Sequence, residues 1–275
     1  MSLLDLADRA AAADGVAPFN EATLLALRDD KKPRVLVLHT SDSGEVTAAA
    51  CAIEDAPVEL VVDPAARRRG LGRSMVDELV AEGEHSFWAH GDLPSAQALA
   101  ASAGLVPQRI LLVLRLELTE PPVAETVPDG VTLRAYRPDD ADAVVAVNAR
   151  AFAHHPEQGR MDRADFDRRT STDWFDPAGL FVAERAGEII GFHWTKVEEG
   201  IGEVYVVGID PDSQGGGLGR ALTARGIRHM YEQGIRVVDL YVEGDNDPAL
   251  AVYRRLGFVE HAKDVLYVSA GVVVS

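Results

Sequence analysis

Short apolar, β-branched runs bounded by polar or turn-forming residues set the rhythm of this chain. Val35 to His39, Val46 to Ile53 and Val58 to Val62 read as three strands, and Gly70 to Ala81 changes to the three-and-four spacing of an amphipathic helix. Strand, helix and strand then follow to about Leu116. After an interval the same order returns. Pro138 to Phe152 predicts a helix entered through Asp139 and Asp140. Leu180 to Glu184 and Glu188 to Val197 are strands separated by the hairpin signal Arg185-Ala186-Gly187, and Glu203 to Ile209 is a further strand. Gly217 to Glu232 carries Leu218, Ala221, Leu222, Ile227 and Met230 on one helical stripe. Val237 to Val242 reads as a strand, Pro248 to Leu256 as a helix and Phe258 to Val268 as a terminal strand.

The return is a repeat of residues as well as of pattern. Val61 to Arg73 matches Gly208 to Arg220 at an offset of 147, with aspartate, proline, both motif glycines, leucine and the last arginine coinciding. Trp88-Ala89-His90-Gly91-Asp92 through Leu105 matches Tyr241-Val242-Glu243-Gly244-Asp245 through Phe258 at an offset of 153, so one short insertion separates the copies. Residues 121–130 lie in a proline-rich, acidic stretch that reads as an extended linker. The expected division is a first α/β domain over 1–120 and a second over 131–275, each a mixed, mostly antiparallel sheet flanked by helices.

Composition narrows the functional classes. The 275 residues are long enough for two globular cores, and a formal charge of −17 opposes any whole-surface attraction to nucleic acid or an anionic membrane. A polyanionic ligand needs a local cationic or backbone-amide site. The single cysteine, Cys51, forms no internal disulfide and sits in an alanine-rich strand, where a small core residue is expected rather than a nucleophile. The first residues lack the pattern of a secretory signal, and no segment approaches the roughly 18 apolar residues of a membrane span, so a cytoplasmic monomer is expected. Only four residues are lysine, and the abundance of alanine and arginine points to a GC-rich genome. His154 and His155 have no partner at metal-ligand spacing, and no metal is assigned.

The sharpest chemical feature is strand, Asp210-Pro211, Gln214-x-x-Gly217-x-Gly219, then helix. Glycines admit an anion close to the backbone, and a helix start offers free N–H groups and a positive dipole end, which together make a pyrophosphate cradle. A lone motif of this kind is equally well a tight turn. Here it follows an apolar strand, occurs twice, and is followed both times by strand, Gly-Asp, helix and Gly-Leu or Gly-Phe. These residues resemble the GCN5-related N-acetyltransferase (GNAT) superfamily. The resemblance implies an acetyl donor, acetyl-CoA, held in a wedge where two strands splay apart. In the first copy it implies contacts from Leu60, Val61, Val62, Arg67, Arg68, Arg69, Gly70, Leu71 and Gly72. In the second it implies Val207, Gly208, Ile209, Gln214, Gly215, Gly216, Gly217, Leu218, Gly219 and Arg220, with Asn246, Asp247, Pro248, Ala249, Leu250 and Ala251 from the next helix. Gly215-Gly216 departs from the pattern, since relatives usually carry arginines there.

Closer similarity lies in His155-Pro156-Glu157-Gln158-Gly159, Trp174 to Pro177, Gly191 to Val197, Gly202 to Gly208 and the early Gly15 to Pro18. This set resembles tandem members of the superfamily that acetylate the cysteinyl amine of a small cysteinyl-glucosaminyl-inositol acceptor. Such a transfer needs a neutral amine, a donor for the developing oxyanion and a proton for the leaving thiolate. An α-amine has a pKa of about 7.7 to 8.0, so roughly a tenth is neutral at pH 7 and a modest base suffices. The resemblance implies Glu203 as that base, Tyr253 as the acid toward the thiolate and the Val207 N–H as the oxyanion donor. Glu21, Glu157, Lys196, Glu203 and Tyr241 are the implied acceptor contacts. In the first copy Ala56 stands opposite Glu203 and Ala100 opposite Tyr253, so that half is expected to bind acetyl-CoA without catalysing. Two alternatives stay open: acetylation of another small amine or a protein N-terminus, and a non-catalytic acyl-CoA sensor.

Overall fold

A computed structural model describes residues 2–28, 32–122, 124, 126–153 and 158–272. In chain order the elements begin with helices α1 (Leu3–Asp14) and α2 (Glu21–Arg28), strands β1 (Val35–Thr40), β2 (Val46–Ala52) and β3 (Val58–Val62), helix α3 (Leu71–Ala81), strand β4 (Ser86–Ala89), helix α4 (Pro94–Ala103) and strand β5 (Leu105–Glu117). They continue with β6 (Val131–Ala135), α5 (Ala141–Ala151), α6 (Arg163–Thr170), β7 (Leu180–Arg185), β8 (Glu188–Glu198), β9 (Ile201–Ile209), α7 (Leu218–Glu232), β10 (Val237–Glu243), α8 (Asp247–Arg255) and β11 (Val259–Ser269). None of the described helices is long and apolar enough to cross a membrane.

Internal contacts gather these elements into two compact units. The first comprises Met1–Leu112, Glu243–Asp245 and Ala262–Ser275, and the second Val113–Val242 and Asn246–His261. This differs from a linear division into 1–120 and 131–275 across a linker at 121–130. The end of β5 belongs to the second unit, while the end of β11 returns to the first, where Val265, Leu266, Tyr267 and Val268 pair antiparallel with Ala89, Trp88, Phe87 and Ser86. Strand pairing between residues far apart in sequence leaves no local signal, so the exchange is invisible to a linear reading.

In the first unit the strand order runs β1-β2-β3-β4, with β3 and β4 parallel and the others antiparallel. Both faces of β2 are buried, which explains its unbroken run of small apolar residues. Ala48, Ala50 and Ala52 cluster with Met75, Val76 and Leu79 of α3, whereas Ala49 and Cys51 cluster with Leu6 and Ala10 of α1. Cys51 is fully buried, and burial pushes its thiol up to about 11, as befits a packed residue rather than a nucleophile.

In the second unit the order is β10-β9-β8-β7-β6, antiparallel except between β10 and β9. One face packs Leu180, Val182, Phe192, Trp194 and Val206 against Val144 and Val147 of α5 and Phe166 of α6. On the other, Phe181, Ala183 and Ile190 meet Leu218 and Leu222 of α7. These α7 positions are the stripe that its spacing predicts, and truncating the fully buried Leu222 to alanine is expected to cost about 2–5 kcal/mol.

Candidate active site

Every residue of the site is positioned by the place where β9 leaves β10. The two strands pair in parallel at Gly202 with Val238 and Glu203 with Asp239, and no pairing between them extends beyond that point. On its other side β9 pairs with β8 along its whole length, but with an irregularity: Trp194 lies opposite Val206 and Thr195 opposite Val204, leaving Tyr205 as an extra residue. A β-bulge bends its strand and re-aims the side chains that follow. Here it falls two residues after the last contact with β10, so the strand is bent where the fork opens. Val207 lies in the opened stretch, in register with His193 of β8.

Beyond β9, Asp210 accepts a hydrogen bond from the Asp212 N–H and ion-pairs with Arg150. Gly215, Gly216 and Gly217 then adopt φ of +89°, +58° and +86°. A Cβ at any of the three would meet nothing within 4 Å, so glycine is required here by backbone conformation rather than by crowding. Gly217 precedes α7 without a side-chain cap, which leaves first-turn amides available to an anion. Asn246 caps the next helix, its Oδ1 accepting from the Ala249 N–H at 3.2 Å, while Leu250 is buried in the core. These features fit a diphosphate group held by backbone amides.

The first unit repeats the cradle. Gly70, φ +86°, precedes α3 without a side-chain cap, and Arg68 takes φ +63° at the position matching Gly215. A non-glycine residue there is strained by about 1 kcal/mol or more. Arg67 differs from the expected phosphate ligand: its two Nη atoms donate to Asp14 at 2.7 Å each and its Nε to the Val62 carbonyl, so its charge is matched by Asp14. A cavity of about 450 Å³ is lined by Leu60, Val61, Val62, Arg67, Arg68, Gly70, Leu71 and Gly72, together with Asp14, Val16, Pro18 and His90 among others. Arg69 is not among its lining residues.

The second unit has a smaller cavity of about 140 Å³, lined by Lys196, Glu198, Ile201, Glu203, Asp239 and Tyr241. They are alternate residues on β8, β9 and β10, which share one face of the sheet. Lys196 is only 5% exposed. Its Nζ lies 2.7 Å from Glu198 and over the rings of Trp174 and Tyr205 at 5.2 and 5.8 Å. Arg169 donates to the Tyr205 hydroxyl at 3.0 Å, fixing that ring. Asp239 accepts two hydrogen bonds of 2.7 Å from Arg115.

Three of the residues expected from sequence, Lys196, Glu203 and Tyr241, are thus brought together, while Glu198, Asp239 and the aromatic pair under Lys196 were not expected. Their signal is strand alternation, which becomes useful only once the register of three strands is known. Tyr253 lies on α8 with its ring 5.9 Å from that of Phe258, outside this cavity, and burial pushes its phenol up to about 12. It therefore keeps its proton at any ordinary pH. Glu21 begins α2 in the first unit, and Glu157 lies outside the described residues, as do His154 and His155. No group of metal-ligating side chains occurs among the described residues.

The acetyltransferase (GNAT) family profile matches residues 4–104 and 148–258, one span in each half. The chain is 52% identical to the mycothiol acetyltransferase of Clavibacter sepedonicus over 96% of its own length and 90% of the relative's. It is 48% identical to that of Thermomonospora curvata, with 97% and 92% covered. Among solved structures it is similar to a GCN5-related N-acetyltransferase from Sphaerobacter thermophilus, with a TM-score of 0.75 and 26% identity, covering 96% of this chain and 90% of that one.

Proposed function

This chain belongs to the acetyltransferase (GNAT) family, and we propose that its reaction is that of its mycothiol acetyltransferase relatives. Acetyl passes from acetyl-CoA to the cysteinyl amine of a cysteinyl-glucosaminyl-inositol conjugate, giving the N-acetyl product and CoA. The observation that carries this reading is the cavity at the fork. It sets a buried, aromatic-framed lysine and several carboxylates beside the strand that leads to the diphosphate cradle, as a cationic, hydroxyl-rich acceptor requires.

In this reading Glu203 takes a proton from the acceptor ammonium, directly or through water, and the freed lone pair attacks the thioester carbon. The Val207 N–H supports the developing oxyanion. As the C–S bond breaks, the thiolate receives the phenol proton of Tyr253 and the nitrogen sheds its second proton to solvent; solvent then reprotonates the phenolate and takes the proton held by Glu203. With a thiol near 8.5 and the phenol near 12 that transfer is uphill, so Tyr253 serves only if it is held against the sulfur as charge develops. Gly215, Gly216, Gly217 and the first turn of α7 hold the diphosphate, and Lys196 and Tyr241 hold acceptor hydroxyls. Glu21 and Glu157 stay in the proposal as further acceptor contacts. The first unit binds acetyl-CoA in its own cavity without transferring it, because Ala56 precedes β3 and Ala100 lies buried in α4 where Glu203 and Tyr253 stand in the second copy.

The test is incubation with acetyl-CoA and the conjugate, following N-acetyl conjugate and CoA by mass spectrometry. The acceptor carries a thiol of its own, so a thiol reagent does not report CoA alone. N-acetyl product is expected, and CoA release with other amines but not with this one would overturn the proposed acceptor.

A further inference from the structure

We propose that Asp239 determines specificity for an amine acceptor: with Glu203 it forms a pair of carboxylates that holds the acceptor's ammonium group. This rests on the acetyl-transfer reading above and adds to it a residue which that reading does not use.

The placement follows from strand register. Glu203 on β9 lies opposite Lys196 on β8 and opposite Asp239 on β10, and β5, the next strand beyond β10, supplies Arg115 to Asp239. Paired positions on neighbouring strands share a face. Four adjacent strands therefore present a row of charge in the order Lys196, Glu203, Asp239, Arg115, with the two acids side by side in the middle. Both acids line the cavity at the last paired position before the fork.

Three of the six residues that line this cavity are carboxylates, Glu198, Glu203 and Asp239, against one lysine. Glu198 is 51% exposed and lies 2.7 Å from Lys196, so it answers that lysine. Asp239 is only 15% exposed and is gripped along one edge by Arg115, which occupies two of the roughly four acceptor positions of a carboxylate and fixes the orientation of the others. At pH 7 about nine-tenths of an α-amine is ammonium, so the species that must be captured is the cation. Between two carboxylates it finds both its counter-charge and its acceptors. When Glu203 removes one proton, R–NH3⁺ becomes R–NH2 and the glutamate becomes its neutral acid. Asp239 holds the ammonium in the cavity until that proton leaves, so its charge acts on binding rather than on the attack.

The test compares wild type with Asp239→Asn, which keeps the shape and an oxygen for Arg115 but removes the charge. Two measurements are made: KM and kcat for the conjugate, and the inhibition constant of a neutral analogue carrying 3-mercaptopropionyl in place of cysteinyl, which lacks only the amine. KM for the conjugate is expected to rise about 10- to 100-fold, the range for loss of a hydrogen bond to a charged group. The kcat is expected to stay within about threefold, and the analogue's inhibition constant within about twofold, because the analogue has nothing for Asp239 to hold. A parallel rise in KM and the inhibition constant would mean that the substitution only disturbs the cavity, and would overturn the proposal. So would an unchanged KM, or a fall in kcat alone. Wild-type protein that acetylates other amines but not the conjugate, with Asp239→Asn raising their KM alike, would overturn the acceptor assignment and leave Asp239 standing. Wild type that acetylates no amine would overturn both.

Discussion

The two units carry the same fork between parallel strands, and it opens differently. In the second, β9 is bulged at Tyr205 and parts from β10 after Glu203 and Asp239. In the first, β2 and β3 pair without irregularity from Cys51–Glu59 to Ala48–Val62, and β3 stays with β4 as far as Glu59 and Trp88. By the repeat, those residues correspond to Val206 and Tyr241, so the first fork stays closed about three residues longer on β3. Beside the second fork lies the cavity that holds Glu203; beside the first lies a part-buried network in which His90 bonds to both Glu59 and Asp264, while Glu59 Oε2 is buried with no hydrogen-bond partner among the described residues. The glycine turn before a helix recurs in both units, at Gly70 and Gly217, whereas the extra residue that bends β9 has no counterpart in the pairing of β2 with β3.

The contrast is tested most severely by Glu203→Gln, which is expected to lower kcat/KM by about 10²- to 10⁴-fold, whereas Ala56→Glu in the first unit should leave turnover unchanged. Comparable activity in wild type and Glu203→Gln, followed by product formation, would remove the glutamate from the mechanism.

The buried histidines give the next effect, with opposite signs. Burial opposes the charge on His90, but its hydrogen bonds to Asp264 and Glu59 outweigh burial and raise it to about 9. Its stabilisation is complete below the unfolded value near 6.5 and is lost as pH climbs through 9. His193 is buried in the second unit, donates to the Leu222 carbonyl and is depressed to about 4 by burial. Its contribution is complete above 6.5 and is lost as pH falls toward 4. Each amounts to about 3 kcal/mol. Hydrogen exchange followed peptide by peptide should therefore show the first unit loosening first on the alkaline side and the second on the acid side. Loosening of both units in the same pH direction would contradict the assignment.

Tyr253→Phe is expected to lower kcat by about 10- to 100-fold with little change in acceptor KM, measured in the same assay. The smallest effect concerns the cradles. Gly217→Ala forces alanine to φ near +86°, at about 1 kcal/mol, and should weaken acetyl-CoA about fivefold as seen in its KM. The matching Gly70→Ala should change acetyl-CoA retention by the first unit while sparing turnover.

Local signals carried most of this architecture. The hairpin at Arg185 to Gly187, the stripe along α7 and the two glycine cradles are visible because each is written within about fifteen residues. Strand β6 and helices α1, α2 and α6 lie outside the elements that the sequence pattern predicts; α6 has a single buried residue, Phe166, and so no apolar period to find. Asp239 and Glu198 look like ordinary strand polars until three registers place them beside Glu203. The bulge at Tyr205 exists only in relation to β8, and Arg67 changes meaning only when Asp14, 53 residues away, is found against it.

The late return of the chain has a consequence for the order in which the protein can be made. A ribosome delivers Met1 to Leu112 well before residues 262–269, yet those last residues cover β4 and bring Asp264 to His90 and Tyr267 to Asp92. The half that emerges first must therefore wait, with one strand edge bare, for the half that emerges last. Nascent chains stalled before β11 are expected to be caught by proteases and chaperones that ignore the finished protein.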